Sequence, residues 1–274
     1  MGAAGLRISA VPSTSSVCSF FQTIHSTPKF RSRLSGAPLA LVSPTSLDNM
    51  FYAFLLLALA SFVDAGPVER RQLNESAYPV SGTKGPTPKA EWVTTYNAAK
   101  AAGNIPDIPP SVLSSSGMPT YPSTVNTSNI CAWSLTTCIA PNDIGAGPNG
   151  AWGVAFDDGV RKGPLSLPLP PSPALYTFLQ QNNQSATHFF IGSNILDNPT
   201  IFQQAVQTGG HIAVHTFSHP YMTTLTDLEV VGELGWTAQI MLDMTGWLPA
   251  YWRPPYGDID NRVRLAVLSL WERT

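Results

Sequence analysis

Charge is scarce in this 274-residue chain. Asp, Glu, Lys and Arg make up 12% of it and the net charge is −2, against about 25% charged residues in an average globular domain. That excludes a basic footprint for nucleic acid or for an anionic membrane surface. The surface must then be rich in Ser, Thr, Asn and Gln, which suits a neutral, hydrated partner. Cysteine is also scarce: there are three, with no cluster of the metal-binding type. Long hydrophobic runs are missing too. The clearest, Phe51–Val63, has thirteen residues, short of the roughly 20 that span a bilayer, so no transmembrane span is expected. Nor does any motif call for a nucleotide cofactor. Proline is abundant, at 25 residues.

Residues 1–49 carry one acid, Asp48, against Arg7, Lys29, Arg31 and Arg33, with many serines, a composition resembling a transit peptide. A better reading starts translation at Met50. The run Phe51–Val63 then forms the core of a signal peptide over 50–65, with Val63-Asp64-Ala65 as cleavage site, and residues 1–49 are an upstream extension. This predicts a chain that is secreted or lodged in a cell wall. Arg70-Arg71 reads as a solvated charge pair or a dibasic processing site. The sequons at Asn74, Asn126 and Asn183 become glycosylation sites behind a signal peptide. With Cys18 in the upstream stretch, Cys131 and Cys138 remain as an even pair, and an oxidising compartment predicts a disulfide between them.

Residues 66–150 are rich in Pro, Gly, Ser and Thr, with one helical stretch, Glu91 to Ala102, closed by Gly103. This reads as a loose lead-in without a core of its own. From Ala151 the pattern changes. Strand-like runs at Trp152–Phe156, Ala186–Ile191, Ile212–His215 and Tyr251–Arg253 alternate with helical stretches. Ser172-Pro173 and Asn198-Pro199 start two of these, and Gly209-Gly210 ends the second. Thr226-Asp227-Leu228-Glu229 is a capping box for a helix towards Gly246, and Asp260 caps a last helix through Leu270. Alternating strands and helices predict an α/β fold, either an open parallel sheet or a β/α barrel. Only about four strand–helix units fit over 151–274, half of what a closed barrel needs. Among the tryptophans, Trp152, Trp236 and Trp247 are expected in core or helix-packing positions, while Trp133 and Trp252 stay open.

Two motifs sit at predicted strand ends. Phe156-Asp157-Asp158-Gly159 follows the first run, and His215-Thr216-Phe217-Ser218-His219 follows the third. In an α/β sheet, strand ends on one face share a site. One carboxylate and two imidazoles there provide three ligands for a catalytic zinc-type ion and leave a position open for water. Taken singly, Asp-Asp-Gly reads as a solvated turn and His-x-x-x-His as ordinary histidines. A third segment, Arg253-Pro254-Pro255-Tyr256-Gly257, also ends a strand. Its prolines stiffen a loop that could aim a backbone N–H at a reacting oxygen. All three in this order point to a metal-assisted hydrolase.

Phe-Asp-Asp-Gly, His-Thr-x-x-His and Arg-Pro-Pro-Tyr resemble the first three motifs of the polysaccharide deacetylases, the NodB-homology group of carbohydrate esterases (family 4). The likeness spans about residues 130–265 and is strongest to fungal chitin deacetylases from Ser172 to Arg264. It implies a distorted (β/α) barrel of the NodB-homology type, here incomplete after about four strand–helix units, with 151–274 as a partial domain. It implies Asp157 as general base, and Asp158, His215 and His219 as ligands of zinc or cobalt. Arg253 would steady Asp157, and the Tyr256 N–H would help form an oxyanion hole. The substrate implied is chitin or chitin oligomers, deacetylated to chitosan and acetate. Two alternatives stand beside it: an acetylxylan O-acetyl esterase of the same family, and a non-catalytic chitin-binding remnant.

The sequence departs from the family pattern in three places. The later Leu-x-His motif, which supplies the acid, and the Asp-rich motif ending in Trp have no match, and His25, His188 and His211 are not expected to replace that acid. Residues Val160–Pro168 intervene where the family passes almost directly from Gly to the Pro-Ser segment, as a retained intron would. Ala155 replaces the usual Thr or Ser before Phe-Asp-Asp. The expectation is a poorly folded, nearly inactive chain with an uncovered sheet edge.

Overall fold

The computed structural model describes residues 21–23, 73–147, 152–160 and 172–271. The run Phe51–Val63, the Arg70-Arg71 pair and most of the Val160–Pro168 segment lie outside these. The elements in chain order are β1 (Phe21–Thr23), α1 (Ala90–Ala101), β2 (Val112–Leu113), β3 (Pro119–Thr120), α2 (Trp133–Thr136), β4 (Asp143–Ile144), β5 (Ala155–Phe156), α3 (Ser172–Gln181), β6 (Thr187–Phe190), α4 (Gly192–Asp197), α5 (Pro199–Gln207), β7 (His211–Val214), α6 (Asp227–Thr245), β8 (Tyr251–Trp252) and α7 (Asn261–Trp271). Short 3₁₀ turns occupy Met222–Thr224 and Pro255–Gly257.

The main sheet runs β4-β1-β8-β7-β6-β5. Strands β5 to β8 are parallel and lie in sequence order, with Phe156 paired to His188, Phe190 to Val214, and Val214 to Trp252. Such pairing requires crossover connections, here helical, because parallel neighbours cannot be joined by a tight hairpin. The fold is therefore α/β with a parallel sheet, as the alternation of strands and helices predicts. The edge beyond β8 is paired: the backbone of β1 runs antiparallel to β8 and to β4. β2 and β3 form a separate hairpin.

The helix signals hold in detail. Thr226 caps α6 in a complete capping box with Glu229, Pro199 occupies the first turn of α5, and Asp260 Oδ1 accepts from Val263 N at 2.8 Å to cap α7. Strand β5 is shorter than its apolar run. Trp152 is 97% exposed, so the expectation that it packs in the core fails. Trp247, 42% exposed, fails likewise. Trp236 meets it, packing against the core edge. Trp252 is fully buried and Trp133 lies against the same core.

Helix α6 is the spine of the packing. Val230, Val231, Leu234, Ile240 and Met241 are fully buried on it, and each contributes about 1.5–3 kcal/mol by removal from water. The lead-in is tied down far more firmly than its composition suggests. Tyr78 Oη donates to Asp243, Trp236 Nε1 to the Thr87 carbonyl at 2.8 Å, and Lys89 lies between the rings of Trp92 and Trp236. The backbone at Pro86 comes so close to α6 that a Cβ on Gly232 would meet the Pro86 oxygen at 1.8 Å. Only glycine permits that approach. A small second cluster of Tyr121, Ile130 and Ala132 lies beside the disulfide of Cys131 and Cys138, whose Cα atoms are 5.1 Å apart. Arg264 braces that loop, pairing with Asp143 at 2.7 Å and donating to the carbonyls of Cys131 and Cys138.

Candidate metal centre

The carboxyl ends of β5, β7 and β8 deliver three loops to one place. After β5 the chain turns sharply. Asp158 has φ 67° and Gly159 φ 74°, and a Cβ on Gly159 would lie 2.1 Å from the Phe190 ring. Gly159 thus meets two demands, a left-handed backbone and no side chain. The turn swings the Asp158 carboxylate towards the β7 loop, and Asn194 on α4 fixes it by donating to the Asp158 carbonyl at 2.8 Å.

After β7 the chain runs His215, Thr216 (φ 68°), Phe217, Ser218 and His219 (φ 63°). His219 N donates to Thr216 Oγ1 at 3.0 Å, closing the turn. Asp158, Thr216, His219 and Tyr256 are four of the six non-glycine residues with positive φ among those described. Such conformations cost on the order of 1–3 kcal/mol each and gather at functional sites.

Asp158, His215 and His219 each present one ligand atom, and the three atoms lie within 4.8 Å of one another. His219 Nε2 is 3.2 Å and His215 Nε2 3.5 Å from Asp158 Oδ1. Ligands bonded at about 2.0–2.2 Å in a tetrahedral shell stand roughly 3.3–3.6 Å apart, so the two histidine–carboxylate distances are close to what a shared divalent ion requires. The imidazole orientation fits as well. The Arg253 carbonyl, 2.8 Å away, accepts from His215 Nδ1, so Nδ1 carries the hydrogen and Nε2 is left to bind metal. The adjoining imidazoles, His215 first and then His219, hold the Asp158 carboxyl well below the usual carboxylate range, against a smaller opposing effect of burial.

Asp157 lies beside this trio. Arg253 Nη1 donates to Asp157 Oδ1 at 2.5 Å, and the buried guanidinium stacks 4.1 Å over Phe189. On the following turn Tyr256 has φ 59°. Its hydroxyl is 3.2 Å from His219 Nδ1, and its ring stacks on Tyr221 with centroids 4.2 Å apart. The structure thus assembles all six residues singled out at the strand ends. His188 and His211 stand apart: His188 is buried on β6, and His211 begins β7 at the end opposite His215.

Sequence reasoning missed the supports beneath the loops. Glu233 of α6 is fully buried and accepts from Phe217 N at 2.7 Å, Ser218 N at 2.8 Å, Ser218 Oγ at 2.6 Å and Gly85 N at 2.8 Å. Burial pushes its carboxyl up, and these hydrogen bonds oppose the shift. Asp258, also fully buried, accepts from Thr223 N and Ser134 Oγ, both at 2.8 Å, and joins the loop after β8 to the turn after β7. Burial raises its carboxyl too. One signal could have found Glu233: a lone acid in an otherwise apolar stretch of a long helix.

Residues 145–271 match the family model described as "Polysaccharide deacetylase". The chain is 41% identical over 233 residues to chitin deacetylase 3 of Cryptococcus neoformans var. neoformans serotype D (strain B-3501A), covering 76% of this chain and 55% of that protein. It is 38% identical over 197 residues to a chitin deacetylase of Amylomyces rouxii, covering 69% and 45%. The chain therefore spans about half the length of the curated relatives it matches. Among solved structures, a family 4 carbohydrate esterase from Streptomyces lividans in complex with acetate aligns with TM-score 0.38 and 30% identity, covering 44% of this chain and 60% of that one.

Proposed function

We propose that this chain, whose residues 145–271 belong to the polysaccharide deacetylase family, removes N-acetyl groups from chitin or its oligomers, giving glucosamine units and acetate. The observation carrying the proposal is the convergence of Asp158, His215 and His219, with the Asp157–Arg253 pair beside them. Relatives named chitin deacetylase support the substrate. So does the low charge of the chain, which suits a neutral polymer.

Asp158, His215 and His219 would hold a divalent ion, zinc or cobalt. When bound, such an ion acts as a Lewis acid towards the acetyl carbonyl and brings the pKa of water towards about 7. Asp157 is the general base, taking a proton from the attacking water. Arg253 aims the Asp157 carboxylate, and its planar guanidinium, stacked on Phe189, leaves it little freedom to swing. The backbone N–H of Tyr256 is the oxyanion donor, and the stiff Pro254-Pro255 segment sets its direction. The leaving amine needs a proton. Among the described residues no further histidine lies at the strand ends that carry the site.

We also read the protein as secreted or wall-bound, with glycans on Asn74, Asn126 and Asn183, all three exposed. The Cys131–Cys138 disulfide fits an oxidising compartment. The test is acetate released from chitin oligomers by the chain loaded with zinc or cobalt. Slow release, as expected when no acid protonates the leaving amine, that disappears with a chelator, returns with metal and is abolished in Asp157→Asn is the predicted result. Release from acetylated xylan but not from chitin would overturn the substrate, and chelator-insensitive release would overturn the metal centre.

A further inference from the structure

We infer that the Tyr256 side chain is a positioning group for His219, so that the single loop after β8 orients both imidazoles of the metal centre. This rests on the metal-centre reading above and adds a role for the tyrosine hydroxyl, separate from that of its backbone N–H.

Each histidine turns Nε2 towards Asp158 Oδ1, at 3.5 Å for His215 and 3.2 Å for His219. An imidazole that binds metal through Nε2 carries its hydrogen on Nδ1, and the acceptor of that hydrogen sets the plane of the ring. For His215 the acceptor is the Arg253 carbonyl. For His219 the atom facing Nδ1 is Tyr256 Oη, at 3.2 Å. The two acceptors are three residues apart on one loop. Asp258 anchors that loop through Thr223 and Ser134.

The tyrosine ring is itself held in place. Its residue adopts a left-handed backbone at φ 59°, which turns the side chain back over the β7 loop. The ring stacks on Tyr221 at 4.2 Å and 23°, and meets the edge of His219 at 4.7 Å and 72°. Tyr221 follows His219 by two positions, so the β7 loop supplies both the ligand and the platform for the group that orients it. His215 is nearly fully buried and has little room to rotate. His219 is a quarter exposed and needs a partner to hold its plane. Because Tyr256 is 58% exposed, water competes for the hydroxyl, and the effect belongs near the lower end of the 10–100-fold range seen when outer-shell partners of metal ligands are removed.

The test is Tyr256→Phe in the full chain. It removes the hydroxyl and keeps the stacked ring. Zinc affinity of the metal-free protein, measured against a competing chelator, should fall about tenfold. In ¹⁵N-labelled zinc-loaded protein, the Nδ1–H resonance of His219 should move while that of His215 stays. Unchanged affinity with an unmoved His219 signal would overturn the inference and leave the metal centre intact. Equal movement of both histidines would also overturn it, as general loosening of the loop. A wild-type chain that bound no zinc would overturn the metal centre itself, and this inference with it.

Discussion

Arg253 grips both halves of the site at once: its carbonyl accepts from His215 Nδ1 at 2.8 Å while its guanidinium holds Asp157. Its main chain orients a metal-ligand candidate and its side chain orients the candidate base. Its backbone N–H in turn donates to the Val214 carbonyl at 2.9 Å, extending the β7–β8 pairing. Asp157, Arg253 and His215 are thus tied to the sheet itself, which makes their relative placement stiff.

Arg253→Lys tests the side-chain half of that relationship. A lysine keeps the charge but loses the planar fork and the stack on Phe189. The carbonyl contact to His215 survives, because it belongs to the main chain. Zinc affinity should therefore stay within about twofold of wild type, while kcat for acetate release falls roughly 10–100-fold with KM little changed, as expected when general-base geometry is loosened. Parallel loss of metal and activity would contradict this division of labour.

Glu233→Ala removes the acceptor for three donors of the His215–His219 loop and for Gly85 N. Each buried donor left without a partner costs about 1–3 kcal/mol. The variant should lose on the order of 3–5 kcal/mol in urea unfolding and bind zinc more weakly, because Phe217 and Ser218 lie between the two histidines. Glu233→Gln retains an acceptor oxygen and should recover part of both losses. Unchanged stability in Glu233→Ala would exclude this anchoring role.

His188 supplies a pH dependence separate from the metal centre. It is buried on β6 between the rings of Phe156 and Phe190, with Tyr176 against its edge. Its Nε2 has no hydrogen-bond partner among the described residues. Burial pushes its pKa down to about 4, whereas in the unfolded chain it lies near 6.5. The unfolded chain therefore takes up the proton first as pH falls. The stability that neutral His188 contributes is complete above about pH 6.5 and declines as pH drops towards 4, by roughly 2–3 kcal/mol. Unfolding measured at pH 7 and at pH 4.5 should show this loss in the wild type and a smaller one in His188→Phe. Equal pH sensitivity in both would assign the loss to other groups.

The sequence by itself determined the parts of this protein that depend on short-range rules. Helix starts at Thr226 and Asp260 were legible because a capping side chain meets backbone N–H groups two or three residues on. The parallel order of β5 to β8 followed from alternating strand and helix patterns. Asp157, Asp158, His215, His219, Arg253 and Tyr256 could be singled out because each stands just after an apolar run, where a parallel sheet gathers its loops. Tertiary structure alone decided what no local pattern encodes. Trp152 carries the signal of a core residue, yet strand β5 begins only at Ala155, and the tryptophan before it stays in solvent. Composition marks residues 66–150 as loose, yet Gly232 opens a groove on α6 that admits the Pro86 backbone, and Tyr96 reaches Asp227 across 131 positions of sequence. Glu233 reaches the histidine loop only because α6 packs beneath it. These contacts join residues far apart in the chain, and their energy comes from satisfying buried polar groups once the elements have docked. The spacing of residues along a sequence carries no record of that docking.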